Sequence, residues 1–330
     1  MIELFDALVA DRQEDRFAVE VRKLRLQDLP PGEVLVRVRY SGVNYKDSLA
    51  ASPDGNVVRT YPMVPGIDLA GTVVSSADAR FREGDEVIAT SYEIGVSHFG
   101  GYSEYARIPA DWVVPLPAGL TPREAMTIGT AGLTAALSVQ RLEDAGLVPG
   151  QGKVLVTGAT GGVGSFAVAI LASRGYDVEA GTGKASERDY LTALGARSVV
   201  SREDIHDGKL RALGKQRWAA AVDPVGGEPL AAVLAQIRYG GSVAVSGLTA
   251  GAQLPATVFP FILRGVNLLG IDSVYCPMEL RLRTWKRLAS DLRPLDLERF
   301  VMREVGLSEL PDVLPLLRRG QARGRILVRL

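Results

Sequence analysis

The stretch KVLVTGATGGVGS, from Lys153 to Ser165, leaves this chain few folds to choose from. Val154 to Val156 are consecutive β-formers, and Gly158, Gly161, Gly162 and Gly164 follow at once. Phe166, Ala167, Val168, Ile170 and Leu171 then recur at helical spacing, so the segment reads as strand, tight turn, helix. Aligned on the dinucleotide fingerprint G-x-G-x-x-G, it supplies Ala159, Gly161 and Gly164, with alanine in the first glycine position. The mechanism survives that change. Gly161 lets backbone approach a pyrophosphate, Gly164 lets helix and strand pack closely, and the free N–H groups of the helix N-terminus attract phosphate charge. A glycine turn alone is weak evidence; the strand before it and the helix after it supply the context that the fingerprint requires.

At 330 residues the chain has room for two domains of the usual ~100–200 residues. Lys and Arg total 38, as do Asp and Glu, so no single-sign field favours nucleic acid or an anionic membrane. A small-molecule partner is the expectation. The opening MIELFDALVA carries Glu3 and Asp6 and no basic lead-in, so it does not read as a secretory signal. Nowhere do ~18 uninterrupted apolar residues offer a membrane span, and the expected location is the cytoplasm. Cys276 is the only cysteine, which excludes an intrachain disulfide and a cysteine-rich metal site.

Residues 1 to about 120 read as β-rich. Val34–Val38, Val73–Val74, Val87–Ile88 and Val113–Val114 are short apolar runs between Gly, Pro and Asp turns, the pattern of a compact barrel or irregular sheet. Two loops in this half are chemically unusual: Ser41–Ala50 (SGVNYKDSLA) and Ser91–Ala106, which gathers tyrosines, glycines and His98. Thr121 as N-cap, Pro122 at the first helical position and Glu124 three residues after the cap predict a helix start and a domain boundary. From Lys153 strands are expected at Val154–Thr157, Val178–Gly181, Ser198–Val200, Ala219–Asp223, Ser242–Ser246 and Asn267–Ile271, with helices between them. That alternation implies a doubly wound parallel sheet. Glu279–Leu292 and Ser308–Arg319 read as helices, and the closing ARGRILVRL reads as a strand returned to the first domain. The expected division is 1–122, 123–272 and 273–330.

The second strand of the expected nucleotide domain ends in Gly181-Thr182-Gly183-Lys184, with no carboxylate to hold ribose hydroxyls. A hydroxyl, a permissive backbone and a cation suit a 2′-phosphate instead. Arg202, just after the third strand, offers a second cation from the neighbouring loop, against its alternative as a solvated surface residue. Glu179 lies within the strand and reads as pleat-facing.

With these residues in view, the chain resembles the zinc-free, quinone-oxidoreductase-like members of the medium-chain dehydrogenase/reductase superfamily. The likeness runs over nearly the whole length: NYKD (Asn44–Asp47), YPMVPGIDLAGTV (Tyr61–Val74), FREGDEV (Phe81–Val87), IGTAGLTA (Ile128–Ala135), TGATGGVG, and the block from Tyr239 to Val274. That late block, NYKD and GVSHFGG (Gly95–Gly101) resemble the branch containing NADPH-dependent acrylyl-CoA reductases. The resemblance implies an α/β fold, a GroES-like β-rich catalytic domain joined to a Rossmann doubly wound parallel-sheet domain. It implies NADPH as cofactor, contacted by Tyr45, Thr160, Gly161, Gly162, Val163, Thr182, Gly183, Lys184, Arg202, Leu248, Ile262, Ser273 and Arg325. It also implies a homodimer and substrate bound in the cleft between the domains. Zinc members of the superfamily carry Cys near Asn44 and Gly-His-Glu where this chain has Gly66-Ile67-Asp68, so no metal is expected.

Reduction of an activated double bond needs stabilisation of charge on the carbonyl oxygen and a proton for the α-carbon. The resemblance points first to Tyr45 as donor or relay, with Asn44 orienting a ligand. His98, Tyr92 and Arg325 are further candidates, each with a structural alternative, and Asp47 serves ligand or loop. Three readings follow. They are reduction of a short enoyl-CoA, reduction of quinones or other enones, and a non-catalytic nucleotide-binding module.

Overall fold

The computed structural model describes residues 4–14 and 16–330. The chain divides into two compact units: Met1–Thr130 with Val274–Ala289 and Leu297–Leu330, and Ala131–Ser273 with Ser290–Asp296. The first expected boundary, at 122, differs from the observed one because the helix Pro122–Asp144 runs through it and breaks only at Gly129, whose φ of 51° and ψ of −159° are not helical. Its start follows the cap chemistry: Thr121 Oγ1 accepts the Glu124 N–H at 3.2 Å, and Glu124 Oε2 accepts the Thr121 N–H at 2.9 Å.

In the first unit a seven-stranded sheet runs Val301–Val305, Arg325–Arg329, Val34–Gly42, Asp68–Ser76, Glu86–Thr90, Val113–Pro115, with Tyr105–Ile108 also paired to Val34–Gly42. The closing strand lies antiparallel to Val34–Gly42, with Leu327 opposite Gly42. Thus the last residues of the chain do return to the first sheet. A separate hairpin, Phe5–Gln13 with Arg16–Leu24, was not anticipated, although Phe5, Ala7, Leu8 and Val9 enter the core.

The second unit holds a six-stranded parallel sheet in the order Ser198–Val200, Asp177–Gly181, Lys153–Val156, Trp218–Asp223, Ile237–Val245, Asn267–Gly270. Numbered in chain order this is 3-2-1-4-5-6, the doubly wound arrangement that places ligand sites at the carboxyl ends of the strands. The fifth strand begins earlier than the glycine pair Gly240-Gly241 suggests. A Cβ on Gly241 would lie 2.3 Å from the Ala219 carbonyl oxygen, so that glycine serves close strand approach rather than termination. Val154–Val156, Ala220–Val222 and Val243–Ala244 are buried, as a sheet covered on both faces requires.

Candidate functional site

In the nucleotide unit the glycine loop behaves as its spacing predicts, with a division of labour. A Cβ on Gly164 would come within 2.4 Å of the Gly158 oxygen and 2.7 Å of Ala159 Cα, so this glycine is demanded by helix–strand packing. Gly161, the N-cap of the helix Gly162–Ser173, has φ −78° and only the Gly158 oxygen at 3.4 Å from such an atom. Nothing in the protein requires its lack of a side chain; a ligand pressed against the loop would. Thr160 is buried beside it, and Gly162 and Val163 are half-buried in the first turn.

The expected 2′-phosphate group gathers at the ends of the second and third strands. The Thr182 N–H donates to the Val200 carbonyl at 3.0 Å, and the Lys184 N–H donates to Thr182 Oγ1 at 3.0 Å. A Cβ on Gly183 would meet Arg202 Nε at 2.5 Å, which puts the guanidinium against that glycine. Thr182, Gly183, Lys184 and Arg202 are therefore neighbours. Glu179 is buried and answered within the protein, by Lys153 Nζ at 2.5 Å, Trp218 Nε1 at 2.8 Å and Ser198 Oγ at 2.9 Å. Burial raises its pKa, but these donors together hold it below the usual carboxylate range.

Of the remaining cofactor candidates, Leu248 follows the fifth strand and is exposed, with its Cα packed close to Gly226. Ile262 is exposed on the helix Phe259–Arg264. Ser273 is buried and accepts the Thr134 hydroxyl at 2.7 Å. Sequence reasoning missed Asp223, buried at the end of the fourth strand, which accepts from Thr157 Oγ1 at 2.7 Å and the Gly226 N–H at 2.6 Å. Burial raises its pKa.

In the first unit Asn44 is the N-cap of a short helix, Tyr45–Ala50. Asp47 closes the cap, accepting the Asn44 N–H at 2.8 Å through one oxygen and the Ile67 N–H at 2.8 Å through the other. Burial, and then the Asp68 charge, push its carboxyl up to about 6. The Asn44 amide is held from both ends: Nδ2 donates to Asp68 Oδ2 at 2.8 Å and Oδ1 accepts from Arg325 Nη1 at 3.0 Å. A carboxylate on one side and a guanidinium on the other fix which end is which. Tyr45, the next residue, is 39% exposed.

Asp68 is the centre of this arrangement. Its carboxylate also accepts the Thr130 N–H at 2.9 Å and the Thr130 hydroxyl at 2.5 Å, while Arg325 Nη2 stands 3.6 Å away. Thr130 Oγ1 pairs with Ser91 Oγ at 2.9 Å, which joins the two unusual loops through one carboxylate. Gly129 must be glycine here, since a Cβ would lie 2.6 Å from Asp68 Oδ2 and 2.7 Å from Arg325 Nη2. The signal for Asp68 was present in the sequence: an ionisable residue inside the apolar run Ile67–Ala70.

Arg325, expected at the ligand, is 2% exposed. Nε donates to the Thr127 carbonyl at 3.0 Å and Nη1 to the Val43 carbonyl at 3.0 Å. Burial pushes its pKa down, against the pull of Asp68 and Asp47. It supports Asn44 from behind and presents no free edge to a ligand. His98 is half-buried, with Nε2 against the Arg107 carbonyl at 2.7 Å and its ring edge-on to Trp112. Burial lowers its pKa. Tyr92 stacks on Trp112 at 5.5 Å, and the Arg281 guanidinium lies 4.4 Å from the Tyr92 ring centre. Ser91 and Tyr92 both have positive φ, 65° and 48°, so this loop holds backbone conformations that non-glycine residues seldom adopt.

No group of three or more His, Cys, Asp or Glu among the described residues is placed to hold a metal ion. No helix among them is long and apolar enough to cross a membrane.

Comparison with known proteins agrees with this architecture. Residues 30–118 match the alcohol dehydrogenase GroES-like domain, and residues 162–290 match the zinc-binding dehydrogenase domain. YhfP of Bacillus subtilis, which carries the words quinone oxidoreductase in its name, is 60% identical over 330 residues, 100% of both chains. Its crystal structure with NAD bound superposes with a TM-score of 0.96 over 99% of each chain. The acrylyl-CoA reductase AcuI of Ruegeria pomeroyi is 54% identical over 327 residues, 98% of this chain and 99% of its own. The crystal structure of Escherichia coli K-12 YhdH with bound NADPH is 47% identical, with a TM-score of 0.95 over 98% of this chain and 99% of that one. The chain belongs to the medium-chain dehydrogenase/reductase superfamily of oxidoreductases, in the quinone-oxidoreductase-like branch that includes the acrylyl-CoA reductases.

Proposed function

We propose that this protein uses NADPH to reduce the 2,3 double bond of a short 2-enoyl-CoA, acrylyl-CoA first among them. The observation that carries the reading is Tyr45, a solvent-facing phenol on a helix whose Asn44 cap is locked between Asp68 and Arg325. The locked cap fixes the backbone from which this phenol can donate to a developing enolate oxygen. The residues of the nucleotide unit fit the cofactor: a side-chain-free Gly161 whose bareness no protein packing demands, for a pyrophosphate, and Thr182, Lys184 and Arg202 for a 2′-phosphate. NADPH, when bound, supplies the hydride for the β-carbon. Tyr45 Oη then stabilises charge at the thioester oxygen or relays the proton to the α-carbon, while the locked Asn44 cap orients the helix that carries it. The 54% identity to AcuI of Ruegeria pomeroyi supports the substrate class.

Quinone or general enone reduction is the second reading, favoured by the name of YhfP at 60% identity. We also propose a two-fold dimer through Asn267–Gly270, the edge of the parallel sheet, where an unprotected strand invites a partner. Tyr45→Phe tests the proposed donor: kcat should fall about 10²- to 10³-fold with the KM for NADPH unchanged. A loss under tenfold would reduce Tyr45 to a packing residue.

A further inference from the structure

The helix that carries Tyr45 packs against the C-terminal helix Leu310–Arg318, and with the N-terminal hairpin they border a groove of about 610 Å³. That size falls within the ~300–1,000 Å³ of small-molecule sites. Its walls are Phe17 and Val19 from the hairpin, Ala51 and Pro53 after the Tyr45 helix, and Leu314 and Pro315 from the C-terminal helix. The groove runs along the helix that carries the phenol. Tyr45 and Ser48 are three residues apart and so share a helix face, and Ser48 lines the groove while its hydroxyl donates to the Tyr45 carbonyl at 2.6 Å.

The arginines around this apolar channel differ in how they are answered. Arg318 is neutralised by Asp54, at 2.7 Å and 2.9 Å, and also bonds Ser52. Arg319 is exposed on the groove wall and has no ion pair among the described residues. Arg12, also exposed, lies over the Phe17 ring and bonds the Pro53 carbonyl; it too meets no carboxylate among the described residues. A largely apolar groove against the helix of a candidate enolate donor, bordered by unneutralised guanidinium groups, suits one kind of ligand. It must have a long, weakly polar arm and phosphates.

We propose that this groove holds the pantetheine arm and the phosphorylated nucleotide of a coenzyme A thioester, with Arg319 and Arg12 meeting the phosphates. The inference rests on the enoyl-CoA reading and adds a site to it. A neutral quinone has nothing for these cations to bind.

The test compares acrylyl-CoA with its N-acetylcysteamine thioester, which keeps the acyl group and lacks the phosphates. Arg319→Ala, and more strongly Arg319→Glu, should raise the KM for acrylyl-CoA about tenfold, leave its kcat unchanged, and leave both constants for the short thioester as in wild type. Equal kinetics of variant and wild type with acrylyl-CoA would overturn the groove while leaving the reaction standing. Where wild type reduces benzoquinone but not acrylyl-CoA, the enoyl-CoA reading falls and free coenzyme A becomes the probe. Inhibition of quinone reduction that weakens in Arg319→Glu would still support the groove, and inhibition that is absent or unchanged would overturn it. Arg12→Met provides the same readouts from the hairpin.

Discussion

The glycine loop with its Thr182–Arg202 neighbourhood and the Asn44–Asp68–Arg325 cluster are both polar centres, yet they are built on opposite principles. In the first, a Cβ on Gly161 would meet only the Gly158 oxygen, at 3.4 Å, and Arg202 is exposed. In the second, Asp68 and Arg325 are 0% and 2% exposed, and the Asn44 amide is bonded at both ends. A region that receives a charged ligand keeps room and donors for it. A region that aims another residue fills its own hydrogen bonds, because an unanswered polar group in the interior costs free energy and leaves its neighbours unfixed. Arg325 shows the difference most clearly: the resemblance places it at the ligand, and its surroundings make it a strut.

This contrast is sharpened first at Asp68. Asp68→Ala leaves the buried Arg325 guanidinium without its facing carboxylate, and breaking a buried pair from one side costs about 3 to 5 kcal/mol. Denaturant unfolding should show that loss, and a loss below ~1 kcal/mol would mean that the cluster does not act as a unit. The next effect lies on the ligand side. Lys184→Ala should leave unfolding unchanged and raise the KM for NADPH about 10- to 100-fold, the weight of one charged hydrogen bond of ~1.5–3 kcal/mol, with the KM for NADH nearly constant. Equal losses with both cofactors would remove Lys184 from the 2′-phosphate. The smallest effect separates two glycines of one loop. Gly164→Ala must push against the Gly158 oxygen at 2.4 Å and should destabilise by about 1 to 3 kcal/mol. Gly161→Ala, with 3.4 Å of clearance, should fold as well as wild type and bind NADPH about tenfold more weakly. Similar stability losses in both variants would erase the distinction between packing and ligand glycines.

The two regions also differ in how far the sequence foretells them. The loop is local: strand, glycines and helix lie within one contiguous stretch, so spacing alone places Gly161 and Gly164. The strands of the second unit were legible for the same reason, each announcing itself by composition, and the last strand fell to the first domain because six strands already completed the second sheet. The cluster joins residues 44, 68, 130 and 325, and periodicity carries no information about partners so far apart. His98 illustrates the same limit. A histidine among glycines and tyrosines reads as chemistry, but its Nε2 meets a backbone carbonyl on the strand Tyr105–Ile108, a contact that only the folded sheet creates. The unanticipated hairpin contributes Phe17 and Val19 to the groove, so the proposed coenzyme site was also beyond the reach of local pattern.

The central claim, that the phenol set on this buried cluster serves an enoyl-CoA, is tested most directly by kcat/KM with NADPH for acrylyl-CoA and for benzoquinone in one preparation. The account predicts the higher value for acrylyl-CoA. A higher value for benzoquinone would contradict it and make quinone reduction the activity of this chain.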